Sequence, residues 1–426
     1  FNEKLQTADQ IVYGKDFRPY VSMLIQGATG GTLNANSVEF LLGAPANTFW
    51  QAGQGFFNQM HQADEAWSLF GNVDFKPIEN LTITLGGNYT HDAKDVVSNS
   101  HSTDLFSGVT LPAPFAALKP IQFLPPFLNI PNAVESGKTR DGKWTYNARV
   151  AYKINSGLNV YASYATGFKA SSFNLSRDSR PTAADLATII ANGGGLPNLA
   201  AGSRFAAPEE STVYEAGIKG NWGLASANLT VFKQSIKNFQ TNTFTGSGFL
   251  FGNAEKQSTF GIEFDGRVNP SRELTLSLAM TYLDPKYDSF KNSPWGDISG
   301  QDVLSVSKLS ASFGAQWDKE LGNSDHVIAR GDFNYTAPFQ PEQGLLNFGS
   351  TAANLAMARS FRSETRDLNA SLTWAMHNGL ELTVWGRNLL DYRTITDIFD
   401  SVAQAGSISG YTNQPRTYGV AAKFKW

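Results

Sequence analysis

The 426-residue chain contains no cysteine, which excludes disulfides, thiol nucleophiles and cysteine metal ligands. No run of about 18 apolar residues occurs, so the sequence predicts no transmembrane helix. The net charge of −3 lacks the basic excess typical of nucleic-acid binding. Its five histidines are scattered without metal-ligand spacing, and no nucleophile, base and orienting group come together. We therefore expect no enzyme, no cofactor, no metal site and no nucleic-acid partner.

What the chain does have is a strict two-residue alternation. Residues 81–90, 158–165, 274–282, 368–376 and 416–426 each place apolar side chains on one face of an extended strand. The opposite faces carry small, polar or charged groups. A soluble sandwich also alternates, but it seldom sustains so many long segments. The pattern favours strands with one face against hydrocarbon and the other against water.

Turn placement separates a barrel from a sandwich. We predict about 14 strands, joined alternately by short and long connections. The short ones are rich in Asn, Gly, Pro and Ser and lie near 76–80, 155–157, 221–223, 269–273, 319–324 and 377–379. The long ones span roughly 15–62, 93–141, 170–208, 241–257, 288–307, 336–364 and 391–413. Short periplasmic turns and long extracellular loops are typical of an all-β, transmembrane antiparallel β-barrel.

Aromatic side chains on the apolar face support this interpretation. One set lies near the short turns or the chain end: Phe75, Tyr152, Trp222, Trp317, Trp374 and Trp426. A second set lies toward the long loops: Trp67, Tyr89, Trp144, Tyr164, Phe168, Tyr214, Tyr282 and Tyr335. The eight residues from Trp144 to Tyr152 span roughly 20 Å in a tilted strand, close to the ~25 Å apolar band of a barrel. The sequence therefore predicts two aromatic girdles.

Several motifs resemble those of TonB-dependent outer-membrane transporters. The longest are Tyr161–Lys169 (YASYATGFK) followed by Phe173-Asn174, and Pro208–Lys219 (PEESTVYEAGIK). The shorter ones are Phe239-Gln240, Asn253-Ala254, Gly261–Phe264, Asn388–Asp391 and Pro415–Gly419. The resemblance covers most of the chain from about Ala66 onward and keeps the order of the family.

This resemblance implies a function and a compartment. Such transporters have a signal peptide, a TonB-contacting segment, a plug and a 22-stranded barrel, whereas this chain shows neither a targeting segment nor a plug-like region. We therefore expect residues 1–426 to be a partial barrel domain, with the plug and about eight strands absent. The resemblance implies active import of a scarce small molecule, siderophore-bound iron by default, across the bacterial outer membrane. The implied partners are outer-membrane lipid, the barrel assembly machinery and the inner-membrane TonB complex, which would act through the absent N-terminal segment.

Two other functions stay open at this point. The first is a complete, passive 14-stranded channel for hydrophobic compounds, of the long-chain fatty-acid type. Pairing between residues near 5–14 and 416–426 would favour it, whereas unpaired edges would favour a larger barrel. The second is a structural or adhesin barrel.

Candidate ligand-binding residues lie on the polar faces and in one loop. On the polar faces or in loops we select Tyr161, Lys169, Arg267 and Arg387 as substrate contacts. Residues 111–131 are strongly apolar and contain six prolines, which rule out a regular helix or central strand. This segment either packs against the barrel rim or lines a site for an apolar ligand through Phe115, Phe123 and Phe127.

Two further segments carry predictions. Residues 181–193 are expected to form a short helix that caps the extracellular mouth. Phe424 and Trp426 end the last strand, and we expect them to form the C-terminal signal for barrel assembly.

Overall fold

The computed structural model describes residues 2–6, 10–12, 14–123, 137–173, 205–244, 249–293, 296–341, 353, 356, 359–400 and 408–425. The predicted helix at 181–193 and the end residue Trp426 therefore lie outside the described residues. The described part is mostly β-structure, with two α-helices and three 3-10 segments.

The strands are β1 (Asn2–Gln6), β2 (Gln10–Val12), β3 (Phe56–Ile78), β4 (Leu81–Ser102), β5 (Lys138–Asn155), β6 (Leu158–Lys169), β7 (Ser172–Phe173), β8 (Phe205–Ala206), β9 (Glu209–Asn221), β10 (Ala225–Phe244), β11 (Phe249–Val268), β12 (Leu274–Ser289), β13 (Leu309–Glu320), β14 (His326–Phe339), β15 (Ser363–Ala375), β16 (Leu380–Arg387), β17 (Ile395–Asp400), β18 (Ile408–Thr412) and β19 (Thr417–Phe424). The helices are α1 (Phe17–Ala28) and α2 (Ala35–Leu41), and the 3-10 segments are Gly14–Asp16, Phe106–Gly108 and Ala113–Phe123.

One antiparallel sheet, here called the wall, dominates the fold. Its 14 strands follow the order β1-β3-β4-β5-β6-β9-β10-β11-β12-β13-β14-β15-β16-β19, and β2 pairs with β3 beside β1. β7–β8 and β17–β18 form separate two-stranded ribbons. This confirms the all-β antiparallel prediction and the strand count. The wall is not closed, because β1 and β19 are its edges and no described residue of β1 or β2 pairs with β19.

The predicted short turns join consecutive wall strands at one end. All six occur, at residues 79–80, 156–157, 222–224, 269–273, 321–325 and 376–379. Gly379 shows why turn residues are needed there. Its φ is +89°, and a Cβ atom on it would lie 2.1 Å from the carbonyl oxygen of Lys425.

At the other end the strands run further than predicted. β10 continues to Phe244 and β11 starts at Phe249, so most of the predicted 241–257 loop is a hydrogen-bonded ribbon. β3 and β4 likewise extend to Phe56 and Ser102. The two-residue alternation marks only the part of a strand that separates lipid from water, so it ends before the backbone pairing does.

The two faces of the wall differ as the alternation predicts. On the outer face, large apolar side chains are exposed, and Leu69 and Val420 keep 68% and 82% of their surface accessible. The predicted girdle toward the long loops forms ring contacts between neighbouring strands. Tyr89 lies 5.4 Å from Trp67 and 5.2 Å from Trp144, and Tyr164 lies 5.1 Å from Tyr214. Exposed aromatic rings also line the turn end of the outer face: Phe75, Tyr152, Trp222, Trp317, Trp374 and Phe424.

A small domain-like unit, here called the cap, is built on the loop end from residues 14–55 and 103–123. The two α-helices and the 3-10 segments enclose an apolar core that contains Phe17, Val21, Ile25, Trp50, Phe106, Leu118 and Ile121. Glu39 is fully buried beside this core and forms a bidentate ion pair with Arg18, with N···O distances of 2.7 and 3.0 Å. In the described part of the chain, no helix is both long and apolar enough to span a bilayer.

Candidate functional site

The inner face of the wall carries a polar network centred on Tyr161. Its hydroxyl donates a hydrogen bond to Glu215 Oε1 at 2.7 Å and lies 3.2 Å from Thr230 Oγ1. Arg149 Cζ lies 4.6 Å and Lys219 Nζ lies 5.4 Å from the centroid of the same ring. The network joins four neighbouring strands, β5, β6, β9 and β10. These contacts cover Tyr161, which keeps only 9% of its surface accessible on an otherwise open face.

Glycine lets this ring lie flat across the sheet. Gly217 is the cross-strand partner of Tyr161, and a Cβ atom on it would lie 2.6 Å from ring atom Cε1. Trp385 and Gly419 form a second pair of this kind, with a clash distance of 2.7 Å. Glycine is required at both positions because any side chain would lift the ring off the sheet. The inner face therefore has rings held at fixed places.

A pocket of about 500 Å³ lies at the loop end of β15 and β16, and we call it the rim pocket. Its lining is polar and contains Ser363, Thr365, Arg366, Asp367, Asn369, Arg387, Asn388, Tyr392, Thr394, Thr396, Asn413, Gln414 and Pro415. No aliphatic side chain other than that of the proline contributes to the lining. The pocket is of a size that holds small molecules, and its chemistry suits an oxygen-rich ligand.

Asn388 holds the rim pocket in shape. Its side-chain nitrogen donates to the carbonyl oxygens of Tyr392 (3.2 Å) and Gln414 (3.0 Å), and its side-chain oxygen accepts the Tyr392 N–H at 3.0 Å. The residue has a φ of +47°, a conformation that asparagine tolerates better than most residues. Asn388 thus fastens the loop after β16 to the segment before β19.

The rim pocket is lined by two arginines, Arg366 and Arg387, and by the carboxylate of Asp367. Arg366 forms an ion pair with Glu364 at 2.9 Å, and its guanidinium lies 5.3 Å from the centroid of the Tyr392 ring. The hydrogen bond from Tyr392 to the Glu364 carboxylate, together with burial, raises the pKa of the tyrosine hydroxyl above its usual value. Arg387 lies 5.4 Å from the Trp385 ring centroid and has no acidic partner among the described residues. Its guanidinium is therefore available to an anionic group.

The structure does not gather the predicted substrate contacts into one site. Arg387 lines the rim pocket, whereas Tyr161 lies in the network across β5–β10. Lys169 ends β6 at the loop end and pairs with Glu209 at 3.5 Å. Arg267 lies at the turn end, where its Nε donates to Asn269 at 3.4 Å. Within the described residues, no recorded contact joins these four side chains.

The apolar loop contributes to the cap. Phe115 is half-buried against the cap core, and Leu118 and Ile121 belong to that core. The described portion of residues 111–131 therefore packs at the rim of the barrel. The side chain of Phe123 and all of Phe127 lie outside the described residues. Phe424 ends β19 on the outer face with its ring exposed.

A second polar cluster was missed by reasoning from sequence. Gln240 donates to the carbonyl oxygens of Ala170 and Ala207, and its own N–H donates to Glu209. Asn253 bonds both the N–H and the carbonyl oxygen of Ala207. Gln240 and Asn253 belong to the short motifs that carried the family resemblance, and the bonds explain those motifs. They fix the chain at the loop end of β6, β9, β10 and β11.

Comparison with known proteins places these features in a family. Residues 5–389 match the family model described as TonB dependent receptor-like, beta-barrel. The fold is similar to that of the ferric yersiniabactin uptake receptor FyuA from Yersinia pestis, with a TM-score of 0.63 and 16% identity over 87% of this chain and 47% of that one.

Two further solved structures are similar. The copper transporter OprC has a TM-score of 0.55 and 12% identity, over 89% of this chain and 50% of that one. The unliganded ferric citrate transporter FecA has a TM-score of 0.52 and 15% identity, over 93% of this chain and 48% of that one. The chain spans about half the length of these structures. At such identities the likeness shows the fold alone.

Proposed function

The chain belongs to the TonB-dependent receptor family, and we propose that it forms part of the barrel of an active importer in the bacterial outer membrane. The barrels of this family reside in that membrane. In the proposal, a scarce small molecule binds from outside and TonB supplies the energy for its passage. Siderophore-bound iron is the first substrate class to test, because structures of similar fold include a ferric yersiniabactin uptake receptor and a siderophore receptor.

The division of the wall into two faces, with specific groups on the inner one, is the observation that carries the proposal. Apolar side chains cover the outer face, where a bilayer would solvate them, and charged side chains cover the inner face. A structural or adhesin barrel would also have an apolar outer face and a polar inner face, so the features that favour transport are the specific groups on the inner face. Rings fixed over Gly217 and Gly419, and cations such as Arg387, provide contacts for a solute inside the barrel.

The open edges favour a larger barrel over a passive 14-stranded channel. Unpaired backbone groups in hydrocarbon are each unfavourable by several kcal/mol, so β1 and β19 need partners in the functional state. The two edges do not pair with each other among the described residues. We propose that further strands close the barrel and that a plug fills its lumen, as in the family.

The rim pocket is the proposed point of first contact with the substrate. Its hydroxyl, amide and guanidinium groups suit a polar, oxygen-rich molecule and not a hydrophobic one. The apolar part of the 113–123 segment is used in the cap core, which removes the main support for a hydrophobic substrate.

Uptake by whole cells tests the proposal. Cells that carry the intact protein should accumulate radiolabelled iron from its ferric siderophore, and an otherwise identical strain without TonB should lose this uptake. A strain that lacks the protein itself provides the background. Uptake that is unchanged without TonB would contradict an energised importer and favour the passive channel.

Phe424 is proposed to act in assembly. It ends the last strand with an exposed ring, as a signal read by the barrel assembly machinery requires. Phe424→Ala should lower the amount of protein inserted into the outer membrane, measured against the exposed outer-face control Val384→Ala. Equal insertion of both variants would contradict this role.

A further inference from the structure

A furrow crosses the outer face of β10 to β13 close to the turn end of the wall. It encloses about 350 Å³. Ala227 forms its floor together with the Phe264 ring, which leans over Gly266 to 2.9 Å from the position of a Cβ atom there, and its sides are Trp222, Leu278 and Phe313. The furrow lies in the middle of the wall, where every strand has both neighbours, so it does not depend on how the barrel is closed.

The furrow arises from one pair of small residues in a band of bulky ones. Ala227 and Gly266 are direct cross-strand partners. The next outward pair along the strands is Leu229 with Phe264, and Gly266 faces Leu278 on its other side. The step in side-chain height between these pairs creates the hollow. Side chains that line a hollow make fewer dispersion contacts than side chains in a packed region. An apolar molecule that fits closely would restore these contacts and would therefore be stabilised there.

The depth of the furrow identifies which part of the membrane can fill it. Ala225 begins β10, Val268 ends β11 and Leu274 begins β12, all within a few residues of the furrow floor. At ~3.3 Å per residue along tilted strands, the furrow therefore opens within about 10 Å of the periplasmic rim. Its contents must come from the periplasmic leaflet.

An exposed cation lies at the turn end of the wall, near the furrow. Arg272 lies exposed in the turn that joins β11 to β12, and it has no acidic partner among the described residues. The neighbouring Lys319 differs, because Glu273 binds it at 3.2 Å. A guanidinium presents paired N–H groups that match the oxygens of a phosphate. The exposed indole of Trp222, in the adjacent turn, belongs at the interface between headgroups and acyl chains.

We propose that this furrow is a phospholipid site, in which one acyl chain lies over Ala227 and against the Phe264 ring, and the phosphate binds Arg272. A hollow of about 350 Å³ can hold a stretch of one acyl chain but is too small for a partner helix of about 10 Å diameter. The site requires only that the outer face stands in a membrane, so it goes beyond the proposed transport function and does not depend on the substrate.

Lipid retention in the full-length protein tests the site. Protein extracted from outer membranes in a mild detergent is analysed by native mass spectrometry for co-purified phospholipid. Ala227→Phe fills the furrow, and its control Ala329→Phe adds the same ring to β14 at a similar distance from the rim. Arg272→Gln removes the cation, and its control Lys76→Gln removes an exposed cation near the end of β3, beside another short turn.

The wild type and both controls should retain one phospholipid per protein. Ala227→Phe and Arg272→Gln should each lower the retained fraction about tenfold, the loss expected from one charge-assisted contact or an equivalent apolar one. Full retention in both variants would overturn the proposal, as would an equal loss in the controls. If Ala227→Phe does not fold, Arg272→Gln alone decides, because its substitution lies in an exposed turn.

Discussion

The wall and the cap place their apolar side chains in opposite directions. In the wall, Leu69 and Val420 project outward and stay mostly exposed, whereas in the cap Phe17 and Trp50 are completely buried. One chain therefore contains a segment built for lipid outside it and a segment built for water outside it. The boundary between the two lies above the girdle that includes Trp67 and Tyr89. The direction of the apolar side chains, outward in the wall and inward in the cap, therefore indicates where the bilayer ends.

Charge follows the same division. The cap buries Glu39 fully and compensates it with Arg18 and with the N–H groups of Asn47 and Phe49. Burial by itself would raise the pKa of this carboxyl, but the hydrogen bonds outweigh burial and hold the pKa below its usual value. The wall instead directs its charges to the open inner face. Perturbations in the two regions should therefore differ in both size and location.

The largest effect is expected in the cap. Arg18→Met leaves the buried Glu39 carboxylate without its cation and should lower the free energy of unfolding of the cap by about 3–5 kcal/mol. Lys15→Met, which removes an exposed cation nearby, is the control. Hydrogen exchange should accelerate across α1 and α2 and stay unchanged in β12 and β13. Equal protection of the cap in both variants would mean that the ion pair does not stabilise it.

The next effect separates the two faces of one strand. Met280→Arg places a charge near the middle of the outer face of β12, six residues beyond the start of the strand, and should destabilise the folded barrel by about 2–4 kcal/mol. Ala279→Arg places the same charge on the inner face, opposite Asp265, and should change stability by less than about 1 kcal/mol. Unfolding experiments in lipid vesicles measure the stability of both variants. Similar losses would show that the faces are assigned incorrectly.

A smaller effect tests the fixed ring of the inner face. Gly217→Val forces the Tyr161 ring away and should destabilise the barrel by about 1–3 kcal/mol. Gly71→Val is the matched outer-face control, because a Cβ atom on Gly71 meets nothing within 4 Å. It should be neutral or slightly stabilising, since β-branched residues favour strands. A neutral Gly217→Val would contradict the close approach.

The smallest effect concerns the tyrosine hydroxyl. Tyr161→Phe removes the hydrogen bond to Glu215 and should reduce stability by about 0.5–1.5 kcal/mol. Tyr164→Phe, on the outer face of the same strand, keeps its ring contact with Tyr214 and should change stability by only a few tenths of a kcal/mol. The same unfolding assay in lipid vesicles compares the two variants. Equal changes in stability would show that the hydrogen bond from Tyr161 to Glu215 does not stabilise the barrel.

Short-range patterns made much of the wall predictable. Each turn and each outward face follows from neighbouring residues, because strand alternation has a period of two. The cap helix α1 was missed although its signal is present. Phe17, Val21, Leu24 and Ile25 follow helical spacing, and all four are buried. The long connection predicted at 15–62 therefore contains a helix, and only its last part, from Phe56 onward, is strand.

The rim pocket could not be derived in the same way. The polar-face position of Arg387 follows from strand alternation, but Asn388 closes the pocket through Gln414, 26 residues away along the chain. The pairing of Trp385 with Gly419 also depends on the register between β16 and β19. Local sequence carries no information on such contacts, because they form only once strands and loops have assembled.

A cysteine scan along β12 tests the central claim, that the wall has one lipid face and one inner face, most directly. The chain has no cysteine, so each substitution introduces a unique label within it. Residues 276–281 are replaced one at a time, labelled with a fluorophore and placed in bilayers that contain lipids with a quencher midway along the chain. The account predicts strong quenching at positions 276, 278 and 280 and weak quenching at 277, 279 and 281. Equal quenching at all six positions would contradict it.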